Sequence, residues 1–176
     1  MATVYTIGHS TRELSELVSA LKAHGIKTLV DIRAFPMSRR LPHFNREFLE
    51  KALPELEISY VWMPALGGRR KKQTKESPNT GLRNDSFRNY ADYMLTSEFQ
   101  NGIEELLRLA ASEPTAIMCA ERVYFRCHRM LVSDFLIAHG HEVLHIDDEK
   151  PPRPHKLTAE ARLVDGKLIY APAKLF

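Results

Sequence analysis

Segments typical of strands alternate with segments typical of helices along most of the chain, and this order constrains the fold more than any other feature. Short apolar runs are typical of buried strands, and longer runs with apolar residues at helical spacing are typical of amphipathic helices. The predicted strands are 4–8, 28–32, 58–63, 115–119 and 142–146, and the predicted helices are 11–24, 44–53, 86–95, 97–111 and 127–139. Because strands separated by helices favour parallel pairing, we predict an α/β fold with a mainly parallel sheet of about five strands and helices on both faces.

The C-terminal segment departs from this alternation. A chain of 176 residues is long enough for one domain with a substantial core, and we assign residues 1–150 to an α/β domain. Residues 151–176 begin with the proline-rich sequence 151–154, which favours extended backbone, and Asp165-Gly166 is typical of a hairpin turn. We therefore predict an extended or hairpin C-terminal extension that packs on the same domain.

Composition and charge limit the class of protein. Hydrophobic residues make up 44% of the chain and charged residues 27%, as in ordinary soluble globular proteins. No apolar run is long enough to span a membrane, and the start of the chain does not resemble a secretion signal, so we expect a cytoplasmic protein without a membrane partner. The net charge is +3, and the basic residues form three groups that favour an anionic ligand if they converge: 33–40, 69–75 and 122–129.

Polar or small residues follow every predicted strand, at the edge where open parallel sheets bind their ligands. We predict a shared pocket at this carboxyl edge. Its predicted ligand-binding residues are Gly8, Arg33, Ser38, Cys119 and Arg129. The planar guanidinium of Arg33 suits phosphate or carboxylate, although Asp31 or Arg33 is alternatively a partner in a structural ion pair. Cys119 is alternatively a buried, inert thiol.

Cys127, His128 and Arg129 stand at the predicted start of a helix, where free N–H groups and the helix dipole favour anions and lower the pKa of a cysteine. We predict Cys127 as the nucleophile and His9 or His128 as the general base, although neighbouring helix residues point about 100° apart, which disfavours direct pairing of Cys127 with His128. Alternatively, Cys127 caps or packs the helix start and has no chemical role. Glu121 is a candidate general acid or base, or alternatively the salt-bridge partner of Arg129. Whether the site belongs to an enzyme or to a ligand-binding domain is left open.

Two other functions compete with this hypothesis. The basic loop 69–75 is also typical of a nucleic-acid-binding accessory protein. The Cys119–His128 loop contains ligand types that zinc accepts, although its spacing matches no standard zinc pattern. Neither a Gly-x-Gly-x-x-Gly fingerprint nor a Walker-type loop is present, so we expect no dinucleotide cofactor and predict no cofactor.

The motifs together resemble those of the domain of unknown function 488 family. They are Thr6-Ile7-Gly8-His9-Ser10, Val30-Asp31-Ile32-Arg33 with Pro36 and Ser38, Leu66-Gly67-Gly68, Cys119-Ala120-Glu121 and Cys127-His128-Arg129. The resemblance covers nearly the whole chain, and the tail is similar as well. It implies a small cytoplasmic α/β domain with a shared site, and it implies no particular reaction. Our leading hypothesis is an enzyme or ligand-binding domain for a phosphorylated or nucleotide-like anion, which requires His9, Arg33 and Cys127 to meet at one edge of the fold.

Overall fold

One or two helices separate each of the first five strands from the next, and a strand-only segment follows residue 145. A computed structural model of the chain describes residues 1–172. Its strands are β1 (Thr3–Gly8), β2 (Thr28–Asp31), β3 (Ser59–Trp62), β4 (Thr115–Cys119), β5 (Glu142–His145), β6 (Arg153–Pro154), β7 (Ala161–Val164) and β8 (Lys167–Tyr170). Its α-helices are α1 (Leu14–Ala23), α2 (Arg46–Glu55), α3 (Asp85–Tyr93), α4 (Ser97–Ser112) and α5 (Arg129–Ala138).

The main sheet has six strands in the order β3-β2-β4-β1-β5-β6. The pairs from β3 to β5 are all parallel, which confirms the predicted α/β class, and β6 joins the edge in the antiparallel direction. Sequence analysis did not predict β6. It is only two residues long and contains Pro154, which has no N–H to donate, and such strands are confined to sheet edges.

Helices cover both faces of the sheet, and alternate strand residues pack against each set. In β4, Ile117 and Cys119 belong to the apolar cluster that includes α3, α4 and α5. Ala116 and Met118 belong to the cluster that includes α1 and α2. Side chains of consecutive strand residues point to opposite faces, so Cys119 lies on the α5 side of the sheet.

Helix α5 begins two residues later than predicted. Cys127 has extended backbone angles and follows a short 3-10 turn at Tyr124–Arg126, so the regular helix starts at Arg129 with His128 as its N-cap residue. Cys127 therefore lies just before the helix N-terminus. Its sulfur still accepts a hydrogen bond from the main-chain N–H of Arg129, at 3.4 Å.

The C-terminal extension is part of the core. Strands β7 and β8 form a hairpin, and its turn residues Asp165 and Gly166 both have positive φ, as the Asp-Gly pattern predicts for a type I′ turn. Leu168 and Tyr170 are buried in the same apolar cluster as α5. The main-chain N–H of Tyr170 donates to Oδ1 of Asn79 at 2.9 Å, which fastens the hairpin to the loop before α3. The last four residues of the predicted extension, 173–176, lie outside the described residues.

Within residues 1–172, no helix is both long enough and apolar enough to cross a membrane.

Candidate functional site

A pocket of about 420 Å³ opens at the carboxyl ends of β2 and β4, and we call it the thiol pocket. Cys119, Cys127 and His128 form its floor, and the rings of Phe87 and Tyr90 line its wall. Cys119 comes from the end of β4, whereas Cys127 and His128 come from the segment before α5. Two segments of the predicted carboxyl edge therefore meet in one cavity.

The two thiols are in direct contact. Both cysteines are free, and their sulfur atoms lie 2.9 Å apart. A hydrogen bond from Cys119 and the positive charge of Arg129 lower the pKa of Cys127, against the opposing effect of burial. Burial and the same hydrogen bond raise the pKa of Cys119. Cys127 is therefore the thiol that ionises first, and Cys119 serves as its hydrogen-bond donor.

Arg129 is enclosed in the protein and does not reach the pocket. Its side chain is 1% exposed. It donates to Oγ1 of Thr6 at 3.1 Å and to the main-chain oxygens of Glu121 and Arg122 at 2.8 and 2.9 Å. These bonds hold the loop after β4 from inside the protein, and a direct contact of Arg129 with a ligand stays a prediction. The predicted ion pair between Glu121 and Arg129 is replaced by this main-chain contact, and the Glu121 carboxylate is exposed at the pocket.

His128 is held in one orientation by the main chain. Its Nε2–H donates to the carbonyl oxygen of Ile32 at 2.8 Å, which leaves Nδ1 as the unprotonated nitrogen. Burial lowers its pKa to about 4. The ring is therefore neutral at pH 7 and a weak proton acceptor, and its role as a general base stays a prediction. A Cβ atom at residue 68 would lie only 2.9 Å from Nδ1, so Gly68 lets the loop after β3 close over the ring.

Arg33 lines the thiol pocket, but internal partners occupy most of its donors. Its Nε and Nη2 donate to the carboxylate of Asp31 at 2.9 and 2.6 Å, and Nη2 also donates to the carbonyl oxygen of Phe44 at 2.7 Å. The hydroxyl of Tyr60 donates to the same carboxylate. This is the structural ion pair that sequence analysis left as the alternative, so Arg33 contributes charge to the pocket edge with little free hydrogen-bonding capacity.

His9 lies behind Arg33 and apart from the thiols. Its Nδ1–H donates to the carbonyl oxygen of Ser10 at 2.8 Å, and its Nε2 accepts from Nη1 of Arg33 at 3.3 Å. Burial lowers its pKa to about 4. In the part of the chain that the structure describes, His9 does not line the pocket or bond to Cys127. The structure therefore does not support His9 as the base for Cys127.

Ser38 and Gly8 have structural positions outside the pocket. The Ser38 hydroxyl accepts from the main-chain N–H groups of Arg40 and Leu41, both at 3.2 Å, and so fixes its own loop. A Cβ atom at residue 8 would lie 1.8 Å from the main-chain oxygen of Glu121. Only glycine permits this approach of β1 to the loop after β4, which places Gly8 in support of the site rather than in ligand contact.

Two exposed arginines flank the pocket, and sequence analysis did not assign them to it. Arg69 and Arg126 both line the cavity, and neither forms an ion pair within residues 1–172. The guanidinium of Arg69 lies 5.8 Å from the ring centre of Phe35, which is 70% exposed. The sequence grouped Arg69 with the basic loop and Arg126 with Arg129, and only the fold shows that the two share one cavity.

The two alternative functions differ in their support. Across residues 1–172, no three His, Cys, Asp or Glu side chains converge as a cation would require, so the geometry does not favour the metal-binding module. In the basic loop, Arg70 is held by the main-chain oxygens of Gly67 and Pro64, whereas Lys71 and Lys72 are exposed. Binding of nucleic acid by loop 69–75 stays a prediction.

A buried polar chain runs from Arg129 to the C-terminal extension. Nη1 of Arg129 donates to Oγ1 of Thr6, whose hydroxyl donates to Nδ1 of His145 at 2.6 Å. His145 Nε2–H donates to Nδ1 of His155 at 2.8 Å, and His155 Nε2–H donates to the Asp134 carboxylate at 2.7 Å. We use "buried polar chain" for Thr6, His145, His155 and Asp134. Its directions follow from the carboxylate at one end and the guanidinium at the other.

The rest of the surroundings complete this chain. The Tyr170 hydroxyl donates to the second carboxylate oxygen of Asp134 at 2.8 Å, and the main-chain N–H of Thr158 donates to the first at 3.0 Å. The ring of Tyr124 stacks on His145 with 3.8 Å between ring centres. Burial, with the neighbouring His155, lowers the pKa of His145 to about 3. His145 is therefore neutral at pH 7, and through its stacked partner Tyr124 the buried polar chain supports the loop that carries Cys127.

Together, the fold and the pocket define an α/β domain with a parallel sheet and paired thiols at the carboxyl edge. The family model described as "Domain of unknown function DUF488" matches residues 13–136, which is more than half of the chain. The chain therefore belongs to the DUF488 family, as its motifs predicted. The matched range includes Arg33 and the whole Cys119–Arg129 segment. No curated protein and no solved structure matched the chain.

Proposed function

We propose that the thiol pocket binds an anionic small molecule, phosphorylated or nucleotide-like, and that Cys127 acts on it as a thiolate. The observation that carries this proposal is the pairing of Arg69 and Arg126, two exposed cations without ion-pair partners in residues 1–172, beside a floor that contains Cys127. Guanidinium groups bind phosphate and carboxylate through paired N–H donors. A cavity of about 420 Å³ is of the size typical for small-molecule sites.

The walls of the pocket support a ligand with a planar part. Phe87 lines the cavity and is half-buried, and the exposed ring of Phe35 stands beside Arg69, whereas Tyr90 is buried in the cavity wall. Aromatic rings offer large flat contact areas to a base or a similar ring system. The negative groups of such a ligand lie near Arg69 and Arg126, and its reacting atom lies near the Cys127 sulfur.

Cys127 is the nucleophile in this proposal, and it acts without a histidine base. Hydrogen bonds from Cys119 and from the Arg129 N–H stabilise the thiolate, and the enclosed Arg129 charge adds to them. Because the lowered pKa supplies the ionised sulfur, the neutral rings of His9 and His128 need not accept its proton. We place the protein in the cytoplasm, where free thiols stay reduced.

Ligand binding tests the proposal through thermal stability and calorimetry. The probes are inorganic phosphate, pyrophosphate, AMP and ADP, with adenosine as the uncharged comparison. We expect at least one phosphorylated probe to raise the melting temperature, because a ligand that binds only the folded state stabilises it. In the double variant Arg69→Ala/Arg126→Ala, affinity for that probe falls about tenfold or more, since charge-assisted hydrogen bonds contribute about 1.5–3 kcal/mol each.

The matched control removes two exposed cations from the opposite end of the fold. Lys27 precedes β2, and Arg108 lies in the C-terminal half of α4, so both are far from the carboxyl edge. The variant Lys27→Ala/Arg108→Ala has the same loss of charge and should keep its affinity within about twofold, because distant surface charges are screened by salt. Equal losses in both double variants, or no response to any phosphorylated probe, would contradict the proposal.

A further inference from the structure

We propose that Cys127 and Cys119 form a working dithiol pair, in which Cys127 attacks a small anionic disulfide and Cys119 resolves the product. The protein is then a thiol–disulfide exchange enzyme whose substrate is a low-molecular-weight disulfide with carboxylate or phosphate groups. This inference deepens the proposed function: the selection of an anionic substrate rests on it, whereas the chemistry of the two thiols does not.

The contact between the sulfur atoms is the first support. They lie 2.9 Å apart, and a disulfide bond is about 2.05 Å long, so the bond can form after a shift of less than about 1 Å. The two cysteines come from separate elements, the end of β4 and the segment before α5, joined by residues 120–126. A loop with irregular backbone between them allows such a shift without moving the sheet.

The two thiols also differ in access and acidity, as an attacking and a resolving cysteine must. Cys127 is 9% exposed and Cys119 is 3% exposed, and both line the pocket. The N–H of Arg129 and the thiol of Cys119 both donate to the Cys127 sulfur. The raised pKa of Cys119 keeps that thiol protonated, in contact with the Cys127 sulfur. The first sulfur to meet a substrate is therefore ionised, and the second waits as a thiol at contact distance.

The exchange proceeds in two balanced steps. The Cys127 thiolate attacks one sulfur of the substrate disulfide, the substrate S–S bond breaks, and one thiolate leaves with a mixed disulfide on Cys127. Cys119 then loses its proton to the departing thiolate or to water and attacks the Cys127 sulfur. The mixed disulfide breaks, a second small thiol leaves, and the Cys119–Cys127 disulfide remains. Across both steps the substrate disulfide gains two electrons from the two cysteines, one proton from Cys119 and one proton from water. Two equivalents of a small thiol reductant then return the protein to its dithiol form and are themselves oxidised to a disulfide.

The two exposed arginines at the pocket favour a negatively charged substrate. Arg69 and Arg126 flank the floor on which the thiols lie, and the carboxylate of Glu121 is the acidic side chain of the pocket lining. Disulfides with acidic groups are therefore favoured over disulfides with amino groups. Oxidised glutathione, which carries carboxylates, and cystamine, which carries only amines, are the two matched probes.

Mass spectrometry of peptides after brief oxidation tests the pair directly. In the wild-type protein, oxidised glutathione should produce the internal Cys119–Cys127 disulfide, with a mixed disulfide only as a transient species. In Cys119→Ser, the mixed disulfide on Cys127 should accumulate because nothing resolves it. In Cys127→Ser, oxidation of Cys119 should be slower by about tenfold or more, since a buried thiol of raised pKa is a poor nucleophile. Circular dichroism of both serine variants establishes that they are folded.

The comparison of an acidic with a basic disulfide distinguishes failure of this inference from failure of the proposed function. Wild-type protein should react faster with oxidised glutathione than with cystamine, and Arg69→Ala/Arg126→Ala should remove that preference. If the preference is absent but the internal disulfide forms with both probes, the dithiol inference stands and anion selection fails. Stable mixed disulfides in the wild-type protein, or oxidation by hydrogen peroxide but by neither disulfide, would overturn the dithiol inference. Both of these contradicting outcomes are measured on the wild-type protein, so they do not depend on the folding of a variant.

Discussion

The floor of the thiol pocket and the buried polar chain meet at Arg129, yet they use their polar groups in opposite ways. In the chain, both nitrogens of His145 and of His155 have partners, and both oxygens of Asp134 accept hydrogen bonds. In the pocket floor, the Cys127 sulfur accepts from the Arg129 N–H and contacts the thiol of Cys119, and it also lines a cavity. Polar groups whose partners all lie inside the protein support a structure, whereas an ionised sulfur that also lines a cavity is available for chemistry.

The same contrast explains why so many histidines and arginines of the predicted site serve structure. Arg33, His9 and Arg129 all direct their donors inward, and each shapes a wall or a loop of the pocket. The groups left for a ligand are few: the two rim arginines and the Cys127 sulfur. Substitutions in each region separately therefore test this distinction between structural groups and groups available to a ligand.

The largest effect is expected at Arg129, because it donates hydrogen bonds to both regions: its main-chain N–H to the Cys127 sulfur and its side chain to Thr6. In Arg129→Met, the main-chain oxygens of Glu121 and Arg122 lose their donors and the buried polar chain loses its terminal cation. We expect the free energy of unfolding to fall by about 3–5 kcal/mol, because three acceptors lose a charged donor at about 1–3 kcal/mol each. Urea denaturation measures it. Arg129→Lys keeps the positive charge but not the planar guanidinium, so its free energy of unfolding should fall by less. A fall below about 1 kcal/mol in Arg129→Met would show that Arg129 does not hold the loop after β4.

Acid should destabilise the protein through its buried histidines. The pKa of His145 is lowered to about 3 and those of His9 and His128 to about 4, from an ordinary value near 6.5. Below pH 6.5 the unfolded chain takes up protons that the folded chain does not, so stability falls as the pH decreases from 6.5 to 4. Each such histidine contributes about 3 kcal/mol over that window. Unfolding free energies that stay constant between pH 6.5 and pH 5 would contradict this expectation.

A substitution at Asp134 tests whether the buried polar chain stabilises the fold without controlling the reactivity of Cys127. Asp134→Asn removes the charge that fixes both imidazole tautomers of the chain and weakens the bonds of His155 and Tyr170. We expect a loss of about 2–3 kcal/mol in the free energy of unfolding, the range for hydrogen bonds to buried charged groups. The rate at which iodoacetamide alkylates Cys127 in the folded protein should stay within about twofold of wild type. A large change in that rate would show that the buried polar chain controls the Cys127 thiol directly.

Ser38 gives the smallest expected effect. Its hydroxyl accepts from two main-chain N–H groups of its own loop and lies outside the thiol pocket. Ser38→Ala should cost about 0.5–1.5 kcal/mol of stability and leave the affinity for a phosphorylated probe unchanged. Calorimetry with the wild-type protein as reference measures the affinity. Loss of binding in this variant would return Ser38 to its predicted ligand-binding role.

Much of the architecture followed from the sequence, because the elements have clear periodicity and end in turn residues. The alternation of strands and helices predicted the parallel sheet, and the carboxyl-edge rule brought Cys119, Cys127 and Arg33 to one pocket. Sequence reasoning placed His9 and Ser38 in the same site because it follows the main chain and does not give the direction of a side chain.

The buried polar chain was not predictable by the same means. His155 lies in a proline-rich segment without strand or helix periodicity, and Asp134 looks like an ordinary polar residue of a helix. Their meeting depends on a two-residue edge strand that folds back antiparallel to β5. Likewise, the enclosure of Arg129 depends on how the loop after β4 turns, and a sequence pattern does not fix that turn.

The ionisation of Cys127 tests the account most directly. The measurement is the rate of iodoacetamide alkylation at Cys127 in the folded wild-type protein against pH, followed by peptide mapping. Because contact with Cys119 and the charge of Arg129 lower its pKa, we expect the midpoint of the rate profile well below the ordinary thiol value of about 8.5. A midpoint at or above that value, or alkylation only after unfolding, would contradict an activated thiol at the floor of the pocket.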